Sequence, residues 1–580
     1  MKKLLPYLKR YRKECVLGPL FKLLEASFEL LIPLVVAHII DVGIAKNDSA
    51  IIIRDSILMA VLGMVGMLFS ITAQYFSAKA AVGFAATLRH ELFSHIQSLS
   101  YSTSQTIGTS TLLTRITSDV NQVQTGMNLA LRLLLRSPFI VFGAMIMAFT
   151  VNVRAALIFV ITIPLLAMIV FGIMKLTTPL YKKVQALLDN QVGLTRQNLT
   201  GVRVIRAFNN EENELRTFES GNEALTQMQM HAGRISALMN PLTCVVVNAA
   251  TAALIYYGAL RVDFGEMTQG QVVALVNYMA QILVELIKFA NLIVTISKAL
   301  ASADRIGDIL TVPAGSEVIP DTTGEINAFL EFDHVSLTYP DASAESLTDI
   351  SFAVPKGHTL GIIGGTGSGK SSIVNLIPRF YDATQGIIRI DGRDVRSYQP
   401  EELRSKIGLV PQKAVLFKGT IRSNLQMADE NATEETMWQA LRTAQAEEFV
   451  REKPGGLDSE IAQEGRNLSG GQRQRLTIAR ALTRRPEILI LDDSASALDY
   501  MTDARLRRAI RKADPDMTVV IVSQRTASVR FADTIAVLDD GHLCGLGTHD
   551  ELLKTCDVYR EIYESQFKKE TNGKEDADEA

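Results

Sequence analysis

Residues 364–372 read GGTGSGKSS, residues 468–472 read LSGGQ and residues 488–493 read ILILDD. The first stretch follows the apolar run TLGII (359–363) and precedes IVNLI (373–377), so it is a glycine loop between a strand and a helix. That is the context a phosphate loop needs. Gly364, Gly367 and Gly369, with Gly365, Thr366 and Ser368 between them, let backbone N–H groups turn inward on phosphate oxygens. Lys370 reaches the β and γ phosphates. The Ser371 hydroxyl, beside Ser372, ligates Mg²⁺, and the helix N-terminus adds its dipole. ILILDD reads as a buried parallel strand ending in acid: Asp492 holds Mg²⁺ and Asp493 lies next to the attacking water. ATP and Mg²⁺ are the expected cofactors.

LSGGQ opens a second helix. Ser469, Gly470 and Gly471, followed by Gln472, put two glycines and a hydroxyl at its start, which makes another anion site. A chain with one phosphate loop does not need a second for the same nucleotide. The economical reading is that this surface caps a nucleotide held by a different chain.

The N-terminal half has another character. Of 580 residues 47% are apolar, and the long apolar runs crowd into the first 300. Six stretches, near 16–40, 55–78, 128–150, 155–177, 236–260 and 272–298, reach the roughly 20 apolar residues that a membrane-spanning helix needs. Lys2, Lys3, Lys9, Arg10, Arg12 and Lys13 crowd the start. The long connections 79–127 and 178–235 are also basic. The positive-inside rule therefore places the N-terminus, both long connections and the C-terminal half in the cytosol. The start reads as an uncleaved first span. The long connections read as spans continued as helices, with tips for short cross-helices near Tyr101–Ser110 and Ala207–Glu214.

Polar residues interrupt the spans: Glu25, Glu29, Gln74, Asn248, Asn277, Gln281, Glu285 and Lys288. Lys22 with Glu25, and Glu285 with Lys288, are spaced i,i+3 and are able to neutralise each other. The other reading is a polar-lined cavity for cationic or amphipathic solutes. Arg132 and Arg136 are either part of such a cavity or cytosolic anchors. A net charge of −3 excludes a general nucleic-acid binder, because phosphate affinity needs a concentrated basic face. Cys15, Cys244, Cys544 and Cys556 fit neither a disulfide framework nor a zinc site.

Together these motifs resemble the ATP-binding cassette transporters, and the whole chain resembles a half-transporter of the exporter class. The resemblance implies a membrane α-helical bundle of six spans with long cytosolic extensions (1–300), a linker (301–327), an α/β P-loop cassette domain (328–565) and a disordered charged tail (566–580). It implies that two chains sandwich two ATP molecules, each between one chain's phosphate loop and the other's LSGGQ. By position it makes Tyr339 the adenine-stacking aromatic. Gln412 becomes the glutamine that senses Mg²⁺ and contacts the membrane domain. Ser496–Asp499 becomes the loop touching the partner's site, and Glu464–Asn467 a link between motor and membrane.

Two positions depart from the family pattern. Asp493 stands where a catalytic Glu is usual and Gln524 where a His is usual. The shorter side chain pulls the carboxylate back by roughly 1–1.5 Å, and Gln524 cannot become charged near pH 7. Both changes weaken hydrolysis and spare ATP binding, while LSGGQ is unaltered. This pattern is similar to the degenerate-site subunit of heterodimeric bacterial multidrug exporters. It implies a homologous half-transporter as partner, the bacterial cell membrane as location and amphipathic small molecules as cargo. The alternatives are a slow homodimeric exporter of lipid or peptide, or an ATP-gated regulator that moves nothing.

Overall fold

The computed structural model describes residues 4–315, 318–320, 328–340, 342–494 and 498–575. They form two compact units. The first contains residues up to 98 and 107–313, and the second contains 99–106 and the residues from 314 onward.

The first unit is helical. Among the described residues, six helical stretches are long and apolar enough to cross a membrane, running Pro6–Ile44, Ser49–Ser98, Thr109–Val151, Val153–Thr200, Glu211–Asp263 and Gln269–Leu310. Each contains one of the six expected spans. The helix Ser49–Ser98 has 50 residues and Val153–Thr200 has 48. At about 1.5 Å per residue these greatly exceed the roughly 30 Å of a bilayer core, so the spans do continue beyond the membrane as helices. Short helices follow them at Tyr101–Ile107 and Val202–Ala207. The first falls within its expected tip, and the second ends where its expected tip begins.

Small and large side chains share the interior of this unit. Ala80, Ala144, Ala148, Ala156 and Ala274 are fully enclosed and so are Phe159, Leu166 and Tyr278, whereas Ile161, Met168 and Tyr256 are largely exposed. Small side chains let helices approach closely where no hydrophobic difference separates lipid from protein. Gly270 marks the tightest approach. A Cβ there would lie 2.3 Å from the Ala37 carbonyl oxygen. Its N–H donates to Asp41 Oδ1 at 2.7 Å, and the Thr268 hydroxyl donates to Asp41 Oδ2 at 2.5 Å. Thr268 and Gln271 form a capping box that starts the last helix at this point, satisfying N–H groups that the first turn leaves unpaired. Both expected i,i+3 pairs form: Lys22 with Glu25 at 2.5 Å and Lys288 with Glu285 at 2.9 Å. Arg136 is buried and paired with Glu29 and Glu285.

The second unit is α/β. A four-stranded antiparallel sheet has the order Leu347–Val354, Leu330–Leu337, Gln385–Ile390, Arg393–Asp394. A six-stranded sheet has the order His542–Gly547, Thr534–Asp539, Thr359–Gly364, Thr518–Val522, Ile488–Asp492, Ile407–Val410. Its inner pairings are parallel, and only His542–Gly547 runs against its neighbour. Strands buried on both faces read as continuous apolar runs, and TVVIV (518–522) is buried at every position.

The last long helix continues to Leu310, into the stretch expected as linker. The C-terminal helix runs Asp557–Glu575, into the stretch expected as a charged tail, of which 576–580 lie outside the described residues. Gln566 ties this helix to the domain, accepting from the N–H and hydroxyl of Thr526 at 2.9 and 2.8 Å.

Gly270→Ala should force the first and last long helices apart. Overpacking at such a contact costs about 1–3 kcal/mol, so the thermal unfolding temperature of the detergent-solubilised protein should fall.

Candidate functional site

Parallel pairing in register brings strand ends together. Asp492 is level with Val522, Leu491 with Val410, and Leu538 with Gly364. The loops that leave the carboxyl ends of these strands therefore converge at one edge of the sheet, where open α/β sheets bind ligands. A cavity of about 440 Å³ lies there. Residues 366–372 line it together with Gln412, Asp492, Asp493 and Gln524. The sequence assigned all of these to one nucleotide site, and the fold gathers them from four separate segments.

The glycines fit a phosphate cradle. Gly367 and Gly369 have φ of +86° and +94°, a region that L side chains rarely enter. A Cβ on Gly364 would lie 2.2 Å from the Leu538 carbonyl oxygen, whereas one on Gly365 or Gly367 would meet nothing within 4 Å. The loop is thus pinned to the sheet on one side and open on the other. Lys370 Nζ donates to the carbonyls of Gly364 at 2.9 Å and Gly365 at 2.5 Å and to Ser368 Oγ at 3.3 Å. These bonds hold the ammonium over the loop it serves.

Charge in the cavity is partly uncompensated. Burial pushes the Asp492 carboxyl up from its ordinary range, Asp493 pushes it further, and Lys370 opposes both. Burial also raises Asp493, against the pull of Arg525, a hydrogen bond from Gln412 and the charge of Lys370. Burial drives the Lys370 ammonium down, while the two carboxylates hold it up. Two crowded carboxylates, the Ser371 hydroxyl and the Gln412 amide oxygen form an oxygen donor set suited to a hard cation such as Mg²⁺. Asp493 has φ +43° and donates its N–H to Val522 O at 2.9 Å, so its backbone is turned sharply as it leaves the strand.

Tyr339 borders the phosphate loop without lining the cavity. Its hydroxyl bonds Ser372 Oγ at 3.0 Å. Its ring meets Tyr381 edge-on at 4.9 Å between centroids, and Tyr101 stacks on Phe380 at 4.9 Å. Residues 99–106 thus belong with the nucleotide-binding unit through aromatic contacts on the segment that follows the phosphate-loop helix.

Ser469, Gly470, Gly471, Gln472 and Asp499 lie outside the cavity. Ser469 caps the helix Gly470–Thr483. Its Oγ accepts from Gln472 N–H at 3.3 Å, and Gln472 Oε1 accepts from Ser469 N–H at 3.1 Å. Ser469 and Gly470 are exposed, and a Cβ on Gly470 would meet nothing within 4 Å. Asp499 caps the helix Tyr500–Ala513, accepting from Thr502 N–H at 2.9 Å and from its hydroxyl at 2.7 Å. Those bonds hold its carboxyl below the usual range. Ser496 lies outside the described residues.

Sequence reasoning missed Gln566. Besides holding Thr526, its Nε2 donates to the Gln524 carbonyl at 2.8 Å, so it fixes the loop that carries Gln524. No spacing signal pointed to it, because it sits in a charged C-terminal stretch 42 residues away. Glu345, Ser346, Asp540 and Gly541 also line the cavity without having been anticipated.

Comparison with known proteins agrees with this architecture. Residues 15–286 match the ABC transporter transmembrane region and residues 347–496 match the ABC transporter domain. The chain is 38% identical to an uncharacterized ABC transporter ATP-binding protein of Mycobacterium tuberculosis, covering 98% of each chain. It is 31% identical to a putative multidrug export ATP-binding/permease protein of Bacillus subtilis, covering 98% of each. It is 33% identical to an ATP-dependent lipid A-core flippase of Desulfotalea psychrophila, over 82% of this chain and 84% of that one. The structure of a bacterial Atm1-family ABC exporter with ATP bound superposes with a TM-score of 0.80 at 24% identity, covering 96% of this chain and 98% of that one. The chain belongs to the ABC transporter family. It is a half-transporter of the exporter type, with six membrane-crossing helices and a cytosolic ATP-binding domain, and it couples ATP hydrolysis to transport.

Lys370→Ala should weaken ATP binding. Losing a charge-assisted contact costs about 1.5–3 kcal/mol, roughly ten- to a hundred-fold in Kd, readable with a fluorescent ATP analogue. Gln566→Ala should lower ATP turnover several-fold with little change in ATP affinity, because it loosens the Gln524 loop and leaves the phosphate loop untouched.

Proposed function

We propose that this chain is the hydrolysis-impaired half of a heterodimeric ATP-driven exporter of amphipathic small molecules in the bacterial cell membrane. The observation that carries this reading is that Asp493 and Gln524, the two departures from the family pattern, line one cavity with Lys370, Ser371 and Asp492. Both changes therefore bear on the same nucleotide. A carboxylate set back by roughly 1–1.5 Å loses reach to its water, and misplacement on that scale costs on the order of 100-fold in rate. The binding elements are complete, so the site retains ATP and Mg²⁺. Tyr339 contributes the adenine face.

The exposed Ser469–Gln472 helix start supports a capping role toward a second chain. Ser469 and Gln472 cap each other's N–H groups, and among the described residues nothing lies within 4 Å of a Cβ built on Gly470. The partner is a homologous half-transporter with Glu and His at the equivalent positions. A polar cavity inside the membrane unit supports an amphipathic cargo, and so do relatives named for multidrug export and for lipid flipping.

Recovery of the tagged chain from its native membranes, with intact mass of the complex, tests the pairing. The expected result is a second chain of similar size at one-to-one stoichiometry. A complex of this chain with itself alone would replace the proposal with a slow, Asp-based homodimer. In the purified complex, Asp493→Glu combined with Gln524→His should raise ATP turnover at least ten-fold at this site. Ser469→Arg should abolish turnover at the partner's site while ATP binding at Lys370 persists. Unchanged turnover would sink the capping role.

A further inference from the structure

A second cavity, of about 500 Å³, lies between the helices Arg12–His38 and Gln269–Leu310. Its polar wall consists of Glu29, Asn277, Gln281, Glu285 and Lys288, and its apolar wall includes Ile32, Val36 and Val284. Three of these are charged, and with Arg136 behind the wall they form a chain of alternating sign. Glu29 Oε2 accepts from Arg136 at 2.6 Å, Arg136 also donates to Glu285 Oε1 at 2.7 Å, and Lys288 donates to the same oxygen at 2.9 Å. Ser137 Oγ donates to the other Glu285 oxygen at 2.8 Å. The middle of the chain is enclosed and the ends are open. The side chains of Arg136 and Glu285 are 8% and 4% exposed, whereas those of Glu29 and Lys288 are 37% and 45% exposed.

Charges at membrane depth are costly unless paired, and the enclosed pair is saturated. The ends keep spare capacity: a carboxylate accepts several hydrogen bonds and an ammonium donates three. Lys22 neutralises the neighbouring Glu25 at 2.5 Å, so three cations meet three carboxylates and the cluster is neutral overall. A lone cation at Glu29 would lie beside the Arg136 guanidinium. A lone anion at Lys288 would lie beside the Glu285 carboxylate. A solute carrying both signs meets an opposite charge at each end.

We infer that this wall is a head-group subsite for zwitterionic amphiphiles. The ammonium sits against Glu29, the carboxylate or phosphate against Lys288, and the apolar body along Ile32, Val36 and Val284. This assignment deepens the export reading and rests on it.

The test is equilibrium binding of three amphiphiles with similar alkyl chains to the complete transporter in nanodiscs. The probes are 2-aminododecanoic acid, dodecylamine and dodecanoic acid. The zwitterion should bind about ten-fold more tightly than either singly charged probe, consistent with one extra charge-assisted contact. Glu29→Gln should remove its advantage over dodecanoic acid, and Lys288→Gln its advantage over dodecylamine. Both substitutions fall at the open ends and leave the Arg136–Glu285 pair in place, and ATP binding by the same samples reports that they fold. Affinities within two-fold of one another, or a head-group preference that survives both substitutions, would overturn the subsite and leave the export reading standing. No binding of any probe by a sample that binds ATP would overturn both. Displacement of the bound zwitterion by lysophosphatidylethanolamine would identify a lipid head group as the source of this chemistry. Retained selectivity without displacement would identify a free amphiphile.

Discussion

The parallel register of the six-stranded sheet governs the catalytic half of this molecule. Each in-register pairing aligns strand ends, so the loops that follow Gly364, Val410, Asp492 and Val522 leave the sheet at one edge. A one-residue slip would turn every side chain of a strand to the opposite face. It would also move Asp492 and Asp493 away from Lys370. Close approach enforces the register. Gly364 has no room for a Cβ against Leu538, and Gly361 has none against Val529. Three titratable groups can then share one small cavity, each shifted by burial, with Lys370 opposing the shift of both carboxylates and the carboxylates opposing that of Lys370.

The membrane half obeys a different constraint. Water drives the cassette domain to bury large apolar side chains, but lipid offers no such drive between helices. Alanine and glycine therefore carry the closest contacts, beside buried large residues such as Phe159 and Tyr278. Arg136, Lys22 and Lys288 are each neutralised by a glutamate. Arg136, Glu285 and Glu29 lie on three different helices, and their mutual pairing fixes how those helices face one another. That requirement leaves a polar wall inside a largely apolar unit.

Much of this was legible in the chain. The spans were visible because membrane thickness imposes a minimum apolar length, and the phosphate loop because backbone N–H groups need glycine to turn inward. The strand ILILDD was visible because a strand covered on both faces is apolar throughout. Both i,i+3 ion pairs were visible because helix geometry fixes that spacing. Less legible was anything set by contact across long separations. Arg136 read as readily as a cytosolic anchor as a cavity residue, since its partners lie 107 and 149 positions away. Gln566 read as tail, since its role depends on where the C-terminal helix meets the Gln524 loop. The helix boundary at Leu310 shifted for the same reason: Ala303 and Ile306 are buried in the membrane unit's cytosolic packing, which a composition change near 300 does not reveal.

The sequence by itself determined the class of machine, its six spans and its phosphate-loop motif. Those depend on residue type at short, fixed spacing, which local backbone geometry converts directly into a phosphate cradle, a strand end or a cap. Only the tertiary structure decided that Asp493 and Gln524 share a cavity with Lys370, that Ser469 points away from it, and that Arg136 joins Glu29 to Glu285. Those depend on sheet register and helix packing, in which the energy of each contact is set by partners that sequence separation does not reveal.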